Sequence, residues 1–320
     1  MIRSDDPAHG LKGHEAPSRL QAFLASDIVY SWKRQPVVIV ASLVTLLMFA
    51  GAVFAPWIAP QNPFDPRQLH LIDAFTPPLT TSELTGNFYL LGSDGQGRDV
   101  FSAILYGSRI SLLVGFASVL FALVLGTTLG LVAGFRGGWR DALLMRIADI
   151  QLTFPSILMA LLIFGVIRGF LPRSLHAEAA IIVLIIAIGL SDWVQFARAV
   201  RGTTMVEKNK EYVQAARVIG LPDVRILFQH ILPNVLRPVL VIATIGLALA
   251  IIAEATLSFL GVGMPPTQPS LGTLIRVGQD YMFSGEWWIL LFPGLALLML
   301  ALSVNLLGDW LRDVLNPKLR

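Results

Sequence analysis

The sequence predicts an all-α polytopic membrane protein. Six transmembrane helices are expected, with a loop of short helices on the cytoplasmic side and an extracytoplasmic loop after the first span. Three observations carry this. With 55% hydrophobic and 14% charged residues and a mean hydropathy of +0.68, 320 residues hold more apolar surface than one soluble core can hide. Six apolar stretches approach the span length that crosses a bilayer: 37–54, 110–133, 153–167, 179–194, 236–257 and 288–307. Finally, eighteen of the 24 Lys and Arg residues fall in connections on one side of these spans, which puts that side and both termini in the cytoplasm.

Residues 1–36 form a cytoplasmic segment whose polar start has no early apolar run, against a cleaved signal peptide. Within it Leu20, Phe23, Leu24, Ile28 and Trp32 recur at helical spacing between Arg19 and Lys33, which predicts an amphipathic helix on the inner leaflet. After the span 37–54, residues 55–109 contain Pro60, Pro63, Pro66, Pro77 and Pro78 and are expected to form an ordered but irregular extracytoplasmic loop. The core of five further helices occupies 110–307, interrupted by a basic loop at 198–237, and 308–320 is a cytoplasmic tail.

Several function classes drop out. A net charge of +3 is too small and dispersed for nucleic acid, and the absence of cysteine removes disulfides, thiolate metal sites and Cys nucleophiles. Five scattered histidines, no His-Glu-x-x-His helix and no Gly-Lys phosphate loop leave no catalytic, metal or cofactor site.

The basic loop is the most informative stretch. Glu211-Tyr-Val-Gln-Ala-Ala-Arg-Val-Ile-Gly220-Leu-Pro-Asp reads as two short helices divided at Gly220, a left-handed C-terminal cap, with Pro222 starting the second. Ala215 and Ala216 on an exposed face would let another backbone approach, and Tyr212, Arg217 and Arg225 would anchor it. A helix-turn-helix shares the two-helices-and-Gly pattern, but the flanking spans disfavour it.

The spacing of Ala215, Ala216, Gly220, Leu232 and Pro233 resembles the cytoplasmic coupling loop of ABC-type import permeases, which engages a separate ATPase. The likeness extends over nearly the whole chain. Leu91-Gly-Ser-Asp-Gly-Gln-Gly-Arg-Asp-Val100, Tyr106-Gly-Ser-Arg-Ile-Ser-Leu112, Glu254-Ala-Thr-Leu-Ser-Phe-Leu-Gly-Val-Gly263 and Gly308-Asp-Trp-Leu-Arg-Asp-Val-Leu-Asn-Pro317 look like motifs of dipeptide, oligopeptide and nickel permeases. Gln214, His230 and Leu271 depart from the pattern. Glu211, one turn before Gln214, is expected to supply the missing carboxylate. The resemblance implies an inner-membrane subunit that pairs with a second, homologous permease and two ATPase subunits. It would receive di- or oligopeptides from an extracytoplasmic binding protein, with ATP used only by the ATPases. It assigns coupling to Glu211, Tyr212, Ala215, Ala216, Arg217, Gly220, Leu221 and Pro222. Nickel, opines or glutathione are alternative cargoes.

Charges in or near the spans have two readings each. Asp94, Arg98 and Asp99 suit a gate or cation site, or caps that pair with each other or with Arg109. Glu254, deep in the fifth span, suits a substrate contact or a hydrogen bond that fixes the helix break beyond it. Asp192 is expected to close the fourth span as an interfacial anchor. Gly263-Met-Pro-Pro266 and Pro269-Ser-Leu-Gly272 should form a re-entrant, non-helical stretch. An ATP-independent carrier would require inverted repeats and paired intramembrane charges, and neither is evident.

Overall fold

The computed structural model describes residues 27–315. Ten helices make the body. They are α1 (Asp27–Arg34), α2 (Pro36–Val53), α3 (Val100–Arg136), α4 (Gly138–Leu152), α5 (Ser156–Phe170), α6 (Ala180–Glu207), α7 (Glu211–Val218), α8 (Leu232–Phe259), α9 (Leu271–Gln279) and α10 (Trp288–Leu315). Of the expected amphipathic helix only the end, α1, is described; Arg19, Leu20, Phe23 and Leu24 lie outside the described residues.

Five helices are long and apolar enough to cross a membrane, and a sixth crossing exists only if α4 and α5 count as one broken span bent by 100°. The stretch expected at 153–167 is α5, shifted by three residues and joined to α4 through the bend. Pro155 lacks an amide and disfavours helix at Phe154, so the chain turns there. Thr153 closes the turn by donating its hydroxyl to the Ile150 carbonyl at 2.7 Å. Helix α4 was not expected: Arg140, Asp141, Arg146 and Asp149 dilute its apolar signal.

Three spans run further than their apolar stretches. Helix α3 begins ten residues before 110, because Asp99 caps it by accepting from the Ser102 amide at 2.8 Å. The loop ahead of it is correspondingly shorter than 55–109. Helix α6 continues past Val194 to Glu207, carrying charges that α4 answers: Arg201 forks onto Asp141 at 2.5 and 2.7 Å, and Arg198 pairs with Asp149. Asp192, expected to close the fourth span, therefore lies mid-helix. Helix α10 likewise runs beyond 307.

The pairing of α3 with α6 is the most extensive in the fold. Gly126, Gly130 and Gly134, one per turn, form the contact strip. A Cβ on them would come within 2.5, 2.5 and 2.8 Å of the Trp193, Ala197 and Arg201 carbonyls. Small residues at this spacing let two membrane helices meet backbone to backbone. A second core joins α3, α8, α9 and α10 around Leu112, Ile251, Leu271, Leu274 and Leu300.

Candidate functional site

The segment between α6 and α8 is built around a buried carboxylate that the sequence reading missed. Glu207, at the end of α6, accepts from Lys210 Nζ at 2.6 Å and from the Tyr212 hydroxyl at 2.5 Å. Asn234 Nδ2 donates to that hydroxyl at 3.2 Å and to the His230 carbonyl at 2.9 Å, and the Tyr212 and His230 rings stack. Burial and the Glu207 hydrogen bond both push the Tyr212 phenol above its ordinary range. Helix α7 is thus tied to both neighbours, and Val213 and Ala216 plug its inner face into a core with Phe196, Val200, Ile226 and Ile231.

The C-terminus of α7 closes with two backbone bonds, Gly220 N–H to the Arg217 carbonyl at 3.0 Å and Leu221 N–H to the Ala216 carbonyl at 3.1 Å. This is a Schellman motif, and Gly220 takes its left-handed position at φ +81°. The expected second short helix is corrected: a single turn, Asp223–Arg225, runs through a π-helical turn, Ile226–Ile231, straight into α8. Around the Gly220–Pro222 corner four large apolar side chains stand in solvent: Val218 (87% exposed), Ile219 (74%), Val224 (65%) and Phe228 (57%). Val224 and Phe228 went unremarked in the sequence, although they stand among Asp223, Arg225 and Gln229 where no membrane span runs.

At the far end of α8, Glu254 is fully buried. Its carboxylate accepts from Ser258 Oγ and from Ser111 Oγ on α3, both at 2.7 Å. Ser258 Oγ in turn accepts from the Met264 amide at 3.1 Å, and Ser111 Oγ from the Leu271 amide at 3.3 Å. One carboxylate thereby fixes both ends of the break between α8 and α9, the structural alternative for this residue. The non-helical stretch is shorter than expected, since Ser270 caps α9 and Leu271 and Gly272 are already helical.

The loop between α2 and α3 holds only short regular pieces: a helical turn at Ala55–Ile58, 3-10 turns at Pro66–Gln68 and Leu71–Asp73, and a hairpin of two-residue strands, β1 (Thr80–Thr81) with β2 (Phe88–Tyr89). Asp94 forms a buried ion pair with Arg98 Nε at 2.6 Å and also accepts from the Gln96 and Arg98 amides. Asp99 caps α3, while Arg109 is exposed and joins no ion pair among the described residues. A second buried carboxylate, Asp73, gathers Ser82 (2.5 Å), Thr85 (2.6 Å), Tyr89 (2.9 Å) and Asn87 (3.4 Å). Burial alone would raise the Asp73 carboxyl, but these hydrogen bonds outweigh it and hold the group below its ordinary range.

Residues 126–320 match the family model described as "Binding-protein-dependent transport system inner membrane component", and residues 24–78 match the "N-terminal TM domain of oligopeptide transport permease C". The chain belongs to this inner membrane component family. It is a multi-pass inner-membrane transport subunit, not an enzyme. Among relatives of this permease, the di/tripeptide transport permease DppC of Pseudomonas aeruginosa is 39% identical over 87% of each chain. The dipeptide permease DppC of Haemophilus influenzae is 37% identical over 91% of this chain and 94% of its own. The glutathione transport permease GsiD of Pectobacterium atrosepticum is 37% identical over 90% and 88%. A chain of the MetNI methionine ABC transporter, in an inward-facing form, shares the fold with a TM-score of 0.51 at 22% identity. It covers 67% of this permease and 96% of the MetNI chain.

The permease's motif residues divide by direction. Glu211, Ala215, Arg217, Gly220, Pro222 and Arg225 are exposed, and Leu221 is half-buried. Tyr212 and Ala216, expected on the outer face of α7, turn inward instead, because they sit on the side that meets Glu207 and the core. Glu211 joins no ion pair among the described residues; the carboxylate that is held in place is Glu207. Asp94 and Arg98 are bonded to each other, and Asp99 to the start of α3.

Proposed function

We propose that this permease forms one half of the translocation pathway of an ATP-driven importer for di- or oligopeptides. A second, homologous permease would supply the other half, with an extracytoplasmic binding protein delivering cargo and two ATPase subunits gripping the cytoplasmic face. The peptide cargo is supported by the relatives' names; glutathione is the runner-up, because one relative carries it. The observation that carries the ATPase contact is the apolar corner of Val218, Ile219, Val224 and Phe228 around Gly220–Pro222. Apolar side chains this exposed, outside any span and among charged neighbours, mark a surface that a partner covers. ATP can then act on a subunit without a nucleotide site only through this contact, by favouring one arrangement of the spans over another.

Orientation follows from the lysine and arginine distribution, with both termini and the 198–237 loop in the cytoplasm. The test uses the chain's lack of cysteine. Single cysteines at Thr81 and Asn209 should react with an impermeant thiol reagent from outside and only after permeabilisation, respectively. In the same assembled importer, Ile219→Glu should insert normally yet abolish ATPase stimulation and uptake, because the side chain is exposed and its loss disturbs only a covered surface. Reversed labelling, or full uptake by Ile219→Glu, would overturn the reading.

A further inference from the structure

Asp192 and Glu254 lie within the apolar stretches 179–194 and 236–257, and the fold treats them differently. Glu254 is wholly buried and satisfied by Ser111 and Ser258. Asp192 stands near the middle of the 28-residue α6, close to the end of its apolar stretch 179–194 and ahead of Arg198 and Arg201. It is partly exposed and joins no ion pair among the described residues, and the side chains that reach it, Ser191 and Gln195, are neutral and on its own helix. A carboxylate within an apolar stretch is costly unless it stands beside water or a countercharge.

The space beside it is a cavity of about 720 Å³ walled by α4, α5, α6 and α8. Ser156, Gln195 and Thr256 contribute polar groups to the wall, and Ile157 and Leu249 apolar ones. Two further wall residues could have met the Asp192 carboxylate, Arg198 with a charge and Gln151 with an amide donor, and both are engaged elsewhere. Arg198 is paired with Asp149. The Gln151 amide is consumed on α6 itself, donating to the Leu190 and Ser191 carbonyls at 2.8 and 2.9 Å and accepting from Trp193 Nε1 at 2.8 Å. These bonds hold the helix on both sides of Asp192. The wall therefore presents the Asp192 carboxylate, on a fixed backbone, with Arg198, the one cation lining the cavity among the described residues, turned to Asp149.

We propose that Asp192 is a transient seat for an ammonium group of a peptide in transit, and that it favours cargo with a basic side chain. The cavity falls within the range of about 300–1,000 Å³ in which small-molecule sites lie, and a carboxylate binds an ammonium through short, charge-assisted hydrogen bonds. The proposal rests on the peptide-permease reading.

The experiment reconstitutes the whole importer with wild-type, Asp192→Asn or Asp192→Glu permease. It measures initial uptake of alanyl-lysine and alanyl-Nε-acetyllysine, each normalised to its affinity for the isolated binding protein. The wild type should favour the lysyl peptide by roughly tenfold, the discrimination one charge-assisted hydrogen bond supplies. Asp192→Asn should bring the ratio near one, and Asp192→Glu should restore it. A wild-type ratio near one, or a ratio that survives in Asp192→Asn, overturns the proposal while leaving the permease reading in place. A wild type that takes up neither peptide but still imports another cargo overturns the peptide reading itself and this proposal with it.

Discussion

Both the loop before α3 and the segment between α6 and α8 carry a motif of charges and glycines, yet the two motifs point in opposite directions. In the loop, Asp94, Arg98 and Asp99 are buried and bonded to one another, to loop amides or to the first turn of α3. In the segment, Glu211, Ala215, Arg217, Gly220 and Pro222 face solvent, and the polar work inside is done by Glu207, Tyr212 and Asn234. Motifs that look alike in sequence are thus turned into the fold in one region and out to solvent in the other. A charged motif is assigned to function only once its hydrogen bonds have been traced.

The same kind of substitution in each region puts the contrast at risk. Gly97 has φ +72°, and a Cβ there would come within 2.1 Å of the His70 carbonyl; Gly220 has φ +81° and nothing within 4 Å of the same position. Gly97→Ala should cost roughly 3 kcal/mol or more, because backbone cannot yield as a side chain can, and should deplete folded protein in the membrane. Gly220→Ala should cost only about 1 kcal/mol for the left-handed conformation and insert normally. Equal membrane abundance of the two variants would end the distinction.

A smaller effect isolates the exposed corner. Gly220→Pro cannot take φ +81° and loses the 3.0 Å bond to Arg217. The Val213 and Ala216 anchors remain, so the subunit should assemble while ATPase stimulation and uptake fall by about tenfold or more. Wild-type stimulation by this variant would show that the corner's shape is irrelevant.

The smallest effect is the pH response of the loop. The Asp73 carboxyl is lowered in the folded loop, so its contribution is present above the ordinary carboxylate value and is lost as pH falls through the folded one. Hydrogen exchange over residues 73–93, corrected for intrinsic rates, should show steady protection from about pH 7 to 5 and loss below about 4. Asp73→Asn should remove that acid step, and a step that persists in the variant would assign it elsewhere.

Backbone chemistry was the legible part of this fold. Gly220 and Pro222 announce their corner because left-handed geometry and a missing amide are properties of single residues. The apolar middles of α2, α8 and α10 were equally readable. Helix α4 and the far end of α6 were not, because their charges are answered across helices, Arg201 by Asp141 and Arg198 by Asp149. The inward turn of Tyr212 depends on Glu207, and Glu254 depends on Ser111, 143 residues away in the chain. Direction is a tertiary property, whereas local spacing reports only that a helix exists.

The glycine strip between α3 and α6 has a mechanical consequence. Gly126, Gly130 and Gly134 bring the two backbones together without a cushion of side chains, and Lys208 Nζ pins their ends through the Gly134 carbonyl at 2.7 Å. The pair is a stiff lever rather than a hinge. The 37-residue α3 is about 55 Å long, so a tilt of some 10° about one end sweeps the other by nearly 10 Å. On the proposed ATPase contact, a small push beneath α7 would be delivered, magnified, to the loop at the opposite end of α3.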